Sequence, residues 1–459
     1  MERKNAWLKT DDIMKDEVMK FSEEYRKFIS TCKTERECTD KMIELAKMRG
    51  FKDIRTVIEA GERLHSGDRI YANNMGKSLA LFTIGEKPFS EGIRILGSHI
   101  DSPRIDIKQN PLYESEGMVL LDTHYYGGIK KYQWVSQPLA LHGVVALTDG
   151  TKIDIVIGEE LDDPVFCVSD LLIHLAQDQL EKKGAKVVEG EDLDILVGNM
   201  PVDDENEKEK FKKNILNILN EKYGISEEDF VSAELEAVPA GPAKNMGIDN
   251  SMILGYGQDD RVCAYTSMAA MFDVEKPLYT TACLFTDKEE IGSFGATGAR
   301  SVFFENMVAE LMNCCGEYSE LNLRRTLSAS FALSADVNSA FDSNYSQCFE
   351  KKNSSYLGKG IVIKKFTGSR GKSGGSDANA ETVAKFREIM DKENIACQVA
   401  EIGKVDVGGG GTIAHLLAYY DMEVLDCGVP ILSMHAPYEI TGKIDIFETY
   451  RAFKAFLMQ

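Results

Sequence analysis

No stretch of this chain approaches the ~18 consecutive apolar residues of a membrane-spanning helix. Residues 1–20 carry too much charge to contain the apolar core of a secretory signal. Basic residues are in deficit: 53 Lys and Arg stand against 74 Asp and Glu, for a formal charge of −21. That balance excludes nucleic acid and an anionic membrane surface as partners. The ten cysteines include no Cys-x-x-Cys pair, which removes a cysteine-based metal finger. Scattered over so long a chain, they read as reduced thiols in a cytoplasmic protein, and the neighbours Cys314 and Cys315 suit a buried apolar pair better than a disulfide. Histidine is scarce as well, with seven in 459 residues, so the places where it does occur carry information.

What is present is the composition of a soluble globular protein, 43% apolar and 28% charged. The length exceeds a single ordinary core and implies two domains. Apolar residues recur at helical spacing through residues 11–48 (Ile13, Val18, Phe21, Tyr25, Phe28, Ile29), and Gly50 closes that region. Short apolar runs with turns follow, and the run Ile93–Leu96 leads into His99. Residues 105–245 differ: β-like runs such as 118–121 and 152–157, a charged helix near 203–223, and a Pro/Gly segment at 238–242. Beyond it, strands are expected at 279–286, 327–335, 361–366, 396–402 and 424–433, with helices at 378–393 and 444–457. The fold class read from this pattern is α/β, a mostly parallel or mixed sheet flanked by helices, with an inserted, mainly β second domain. Residues 1–104 and 246–459 form the discontinuous main domain, and 105–245 the insertion.

Five polar stretches stand beside apolar runs: Gly97–Asp101, Gln258–Arg261, Asp287–Glu290, Ser334–Asp336 and Ser433–His435. In order they give His-x-Asp, Asp, Glu-Glu, Asp and His, the residue types that hold two divalent ions beside a carboxylate base. None falls in the insertion. Each is ordinary when taken alone: His-x-Asp pairs are common, Glu289 and Glu290 could be a solvated charge cluster, and His435 could be a core histidine. The order, with four of the five at strand ends, points to a metal-dependent hydrolase. His99 and Asp101, two apart on extended backbone, point the same way, so Asp101 can orient the imidazole. Adjacent glutamates point apart, which allows Glu290 to ligate and Glu289 to act as base.

With these residues the chain resembles the aspartyl aminopeptidase family of two-zinc metallopeptidases, the family of vacuolar aminopeptidase I. The resemblance rests on His99–Pro103, Glu289–Ser293, Ser334–Asp336 and Met434–His435, and spans nearly the whole chain. It implies two Zn²⁺ per subunit, with Co²⁺ or Mn²⁺ as substitutes. One ion would be held by His99, Asp259 and Asp336, and the other by Asp259, Glu290 and His435. It further implies that Asp101 orients His99, that Glu289 is the general base, and that peptides are the substrates. It also singles out His174, an ordinary helix residue by sequence alone, as reaching into a neighbouring subunit's site. With that comes a homododecamer built from dimers through the inserted domain.

The segment Thr367–Ser373 falls one glycine short of a P-loop, because Phe366 occupies the required position. It reads instead as a glycine-rich loop whose Arg370 or Lys372 could meet a substrate carboxylate. This loop and the run Gly408–Gly411 depart from the aspartyl-specific members. Acidic and neutral N-terminal residues therefore stand as alternative substrates. A two-metal carboxypeptidase or N-acyl amidohydrolase would use a similar ligand order, and a non-catalytic protein of the same fold would have no use for Glu289.

Overall fold

The computed structural model describes residues 4–459. The chain divides into two compact units. The first comprises the chain up to Asp101, Ala243–Met434 and Glu439–Gln459; the second comprises Ser102–Pro242 with His435–Tyr438.

The first unit is built on a nine-stranded mixed sheet. Its strands are β1 (Lys52–Asp53), β2 (Arg69–Asn74), β3 (Ser78–Thr83), β4 (Arg94–His99), β5 (Thr281–Thr286), β6 (Phe331–Ala335), β7 (Ile361–Lys364), β8 (Cys397–Val399) and β9 (Glu423–Gly428). They lie in the order β1-β2-β3-β5-β4-β6-β9-β7-β8. The run β5-β4-β6-β9 at its centre is wholly parallel. Its side chains alternate between two cores. Leu96, Cys283, Phe285, Leu333 and Leu425 face one cluster, and Ile95, Ala282, Leu284 and Ala332 face the other. With both faces covered, these strands read as continuous apolar runs rather than alternating ones. Each large side chain buried there contributes about 1.5–3 kcal/mol. Aligned strands bring their C-terminal ends to one edge, and open α/β sheets bind ligands outside that edge.

The N-terminal region forms two helices, Asp12–Thr31 and Glu35–Met48. The break between them is set by a capping box in which Thr34 accepts from Glu37 N–H while the Glu37 carboxylate accepts from Thr34 N–H. The C-terminal helix Lys443–Leu457 packs in the same core through Phe453, Phe456 and Leu457.

The five strands expected beyond residue 245 are all shorter or divided, three of them markedly. Leu327 belongs to the helix Glu320–Ser328, since Ser319 caps it and Leu323 and Leu327, four apart, enter one apolar cluster; the strand begins at Phe331. Residues 396–402 pair only over Cys397–Val399. The run 424–433 forms two strands in different sheets, Glu423–Gly428 and Pro430–Leu432. Cys314 and Cys315 close the helix Phe303–Cys315; they are half-buried, not buried, and unpaired.

The second unit is an antiparallel six-stranded sheet, ordered Lys152–Ile157, Leu139–Ala146, Ala233–Pro239, Arg104–Ser115, Met118–Tyr126 and Ile195–Gly198. The helix Lys210–Tyr223 belongs to the same unit. Among the described residues, no helix is long and apolar enough to cross a membrane.

Candidate active site

The candidate residues of the first unit stand where a strand or helix ends or starts, and His435 belongs to the second unit. His99 is the last residue of β4, and Asp336 follows β6. Glu289 and Glu290 occupy a 3-10 turn two residues beyond β5. Asp259 lies in the first turn of the helix Gln258–Phe272, and the Asp259–Asp260 peptide is cis. His435, in left-handed backbone (φ 64°), lies between the strands Pro430–Leu432 and Glu439–Gly442.

Two groups of donor atoms result. His99, Asp259 and Asp336 offer atoms all within 4.8 Å of one another, and so do Asp259, Glu290 and His435. Asp259 is common to both. Imidazole nitrogens and carboxylate oxygens in threes are the donor set of a zinc site that keeps a position open. The ring nitrogens of both histidines are sorted by their neighbours. His99 Nδ1 lies 3.0 Å from the Asp101 carbonyl and 3.3 Å from its carboxylate, while Nε2 faces Asp259 at 3.3 Å and Glu289 at 3.9 Å. His435 Nδ1 lies 2.9 Å from the Gly128 carbonyl, which leaves Nε2 for the donor group.

Asp101, fully buried, does more than face His99. Its two carboxylate oxygens accept the backbone N–H of Glu289 (3.1 Å) and Glu290 (3.2 Å). One carboxylate therefore sets the imidazole and the glutamate turn together. Asp259 is held comparably: its N–H donates to Glu439 Oε2 at 3.0 Å. Beside it, Gln258 Nε2 donates to the carbonyls of Ile253 and Glu439.

The crowding of carboxylates is visible in their proton affinities. Burial pushes Glu289 up to about 7, with His99 pulling down and Asp336, Asp101 and Asp259 pushing up. Burial likewise raises Asp336 to about 6, against the pull of Lys364. Burial opposes a charged His99, yet Asp101, Asp259 and Glu289 hold its pKa well above the usual value. Groups displaced in this way cluster at functional sites.

Other expected residues lie elsewhere. His174 is in an exposed 3-10 turn of the second unit, Ile173–Leu175, rather than an α-helix, and belongs to neither donor group. Arg370 and Lys372 are exposed on the loop after β7, both in left-handed backbone. Lys372 pairs with Asp377 at 2.8 Å and lies over the Phe366 ring. The two line a pocket of about 220 Å³ with Lys364, Lys404, Glu401 and the backbone of Gly408–Gly410.

Three residues escaped the sequence reading: Lys364, Asp426 and Glu439. For two of them a signal existed. Lys364 closes the apolar run Ile361–Ile363, and Asp426 interrupts Val424–Val429; each is 1% exposed. Buried charges are the informative exception in a core strand.

A family model described as "Aminopeptidase I zinc metalloprotease (M18)" matches residues 28–457. The chain belongs to the M18 aminopeptidases. It is therefore a zinc metallo-aminopeptidase, a hydrolase of peptide bonds. A probable M18 family aminopeptidase 1 of Clostridium acetobutylicum is 58% identical over 456 residues, covering 99% of this chain and 98% of that protein. The crystal structure of aminopeptidase I from the same organism matches with a TM-score of 0.93 and 54% identity, covering 100% of both chains. The M18 aminopeptidase structure from Thermotoga maritima matches with a TM-score of 0.95 at 42% identity, covering 100% of this chain and 99% of its own. The S. cerevisiae mApe1 dodecamer, at 21% identity and a TM-score of 0.74 with 96% of each chain covered, shares the M18 fold.

Proposed function

We propose that this M18 enzyme removes N-terminal residues from peptides with two Zn²⁺ ions per subunit, Co²⁺ or Mn²⁺ being able to replace them. The observation that carries this is the pair of donor trios that share Asp259. One ion belongs with His99, Asp259 and Asp336, and the other with Asp259, Glu290 and His435. Bound there, such ions supply Lewis acidity to the scissile carbonyl and to water. Glu289, 3.9 Å from His99 Nε2, takes the proton of the attacking water and delivers it to the leaving amine. Its raised proton affinity suits both halves of that exchange. Asp101 keeps His99 and Glu289 in register.

The pocket beside β7 receives the side chain of the N-terminal residue. Lys364 ends β7 in register with Asp426, which in turn is in register with Ser334, two residues before Asp336. The lining carries Lys364, Arg370, Lys372 and Lys404 against Glu401, which favours an acidic side chain. The pairing of Lys372 with Asp377 weakens that excess and keeps a neutral residue as the second reading.

His174 acts in the site of a neighbouring subunit, by hydrogen-bonding the developing oxyanion. Exposed Leu171, Leu172, Ile173 and Leu175 around it are surface that a second copy would cover, in keeping with a dodecamer like that of mApe1. The absence of disulfides among the described residues fits a cytoplasmic setting. A panel of chromogenic aminoacyl substrates, free and N-acetylated, run with and without chelator tests the reading. Glutamyl or aspartyl substrates should turn over fastest, acetylated ones not at all, and chelation should stop the reaction. Equal turnover of acetylated substrates would make it an acyl hydrolase instead.

A further inference from the structure

Asp426 has no part in the donor groups, yet it is a 1% exposed carboxylate in the middle of β9. Both of its oxygens are engaged. Oδ2 accepts from the Ser376 hydroxyl, and Oδ1 accepts from Thr412 Oγ1 at 2.5 Å. These hydroxyls come from two different loops. Ser376 closes the loop that follows β7, where Thr367 N–H donates to Ser376 O and Ser376 N–H donates to Thr367 Oγ1, both at 2.9 Å. Thr412 ends the glycine run and caps the next turn by accepting from Ala414 N–H. The loops also meet each other: Gly368 N–H donates to Gly410 O at 2.7 Å.

The contact leaves no room for side chains. A Cβ on Gly409 would lie 2.6 Å from Gly368 O, and one on Gly375 would lie 2.3 Å from Thr367 O. These loops are the walls of the 220 Å³ pocket. Below them, Lys364 (1% exposed) donates to Val337 O at 3.2 Å and shares the charges of Asp336 and Asp426. Asp426 thus stands between the pocket walls and the strand that leads to Asp336.

We infer that Asp426 is a positioning residue that locks the two glycine-rich loops together through Ser376 and Thr412 and so fixes the shape of the pocket. Glycine-rich loops have little stiffness of their own. Two hydroxyls donating to one buried carboxylate supply it, because bonds to a charged acceptor are the stronger kind. The consequence for substrate choice rests on the reading of this pocket as the site of the N-terminal side chain; the lock itself does not.

The test is amide hydrogen exchange on the full-length enzyme, for Asp426→Asn and for the double variant Ser376→Ala/Thr412→Val. The double variant leaves the Asp426 carboxylate and its charge near Lys364 in place and guards against a misfolded Asp426→Asn. Amides of residues 367–377 and 401–412 should exchange about tenfold faster or more. Zinc content should stay unchanged, and Thr412→Ser should behave as the parent. KM should rise more than kcat falls, with the ratio of kcat/KM between glutamyl and leucyl substrates moving toward one. Unchanged exchange in both loops of the double variant overturns the lock. Faster exchange with an unchanged substrate ratio upholds the lock and overturns the assignment of the pocket.

Discussion

On the proposed reading, Asp101 and Glu289 divide the labour of a catalytic carboxylate. Asp101 is spent on geometry: both oxygens accept backbone N–H groups and one also faces His99. Glu289 has its backbone fixed by that bond and its side chain turned to the donor groups, 3.9 Å from His99 Nε2. The roles make Glu289→Gln informative, because the amide keeps the size and the N–H to Asp101 but cannot take a proton. Zinc content should remain that of the parent while kcat falls by roughly 10²–10⁴. Metal analysis beside steady-state kinetics checks this; zinc lost in step with the rate would make Glu289 a ligand. Asp101→Ala should act differently, lowering both zinc affinity and rate, by about 10–100-fold in affinity.

The elements deliver these residues with little tolerance. Gly428 ends β9 where a Cβ would lie 2.1 Å from the Asp336 carbonyl oxygen and 2.9 Å from Cys263 Sγ. Gly428→Ala should push Asp336 away from His99 and Asp259. The expected cost is about 1–3 kcal/mol in denaturant unfolding, together with weaker zinc binding; parental stability and zinc affinity would contradict it. That contact also marks what the sequence could and could not disclose. The strand ends at His99 and Asp336 were legible, because buried parallel strands are continuous apolar runs and a polar residue at their end stands out. The division of 424–433 was not, since Val429 between its two strands is as apolar as the strands themselves. Leu327 was misread because a short helix and a buried strand both present leucine and serine, and only the Ser319 cap distinguishes them. Glu439 holds Asp259 from a distant point of the chain, and nothing local to it announces this.

In the whole molecule, the proposed metal site would link metal binding to stability through its carboxylate cluster. Without the ions, Asp336 and Glu289 are acids with raised pKa values, about 6 and about 7. A raised acid favours the fold while protonated, so metal-free stability is fully present below the ordinary carboxylate range and is lost as pH rises through 6–7. Cations held by these residues would take the place of those protons. Removing metal should therefore lower Tm more at pH 8 than at pH 5, as calorimetry on holo and chelated protein would register; an equal drop at both would detach the cluster from stability. Assembly is tested by mixing. His174→Ala and Glu289→Gln, each inactive, should recover activity on co-expression if His174 completes a neighbour's site, and verified hybrids without recovery would remove it from that role. The most direct test of the two-ion site is zinc content titrated against aminopeptidase activity. Activity should rise to its plateau as bound zinc approaches two per chain, and His435→Ala should hold no more than one. Full activity at one zinc per chain, or two retained without His435, would contradict the shared-Asp259 site.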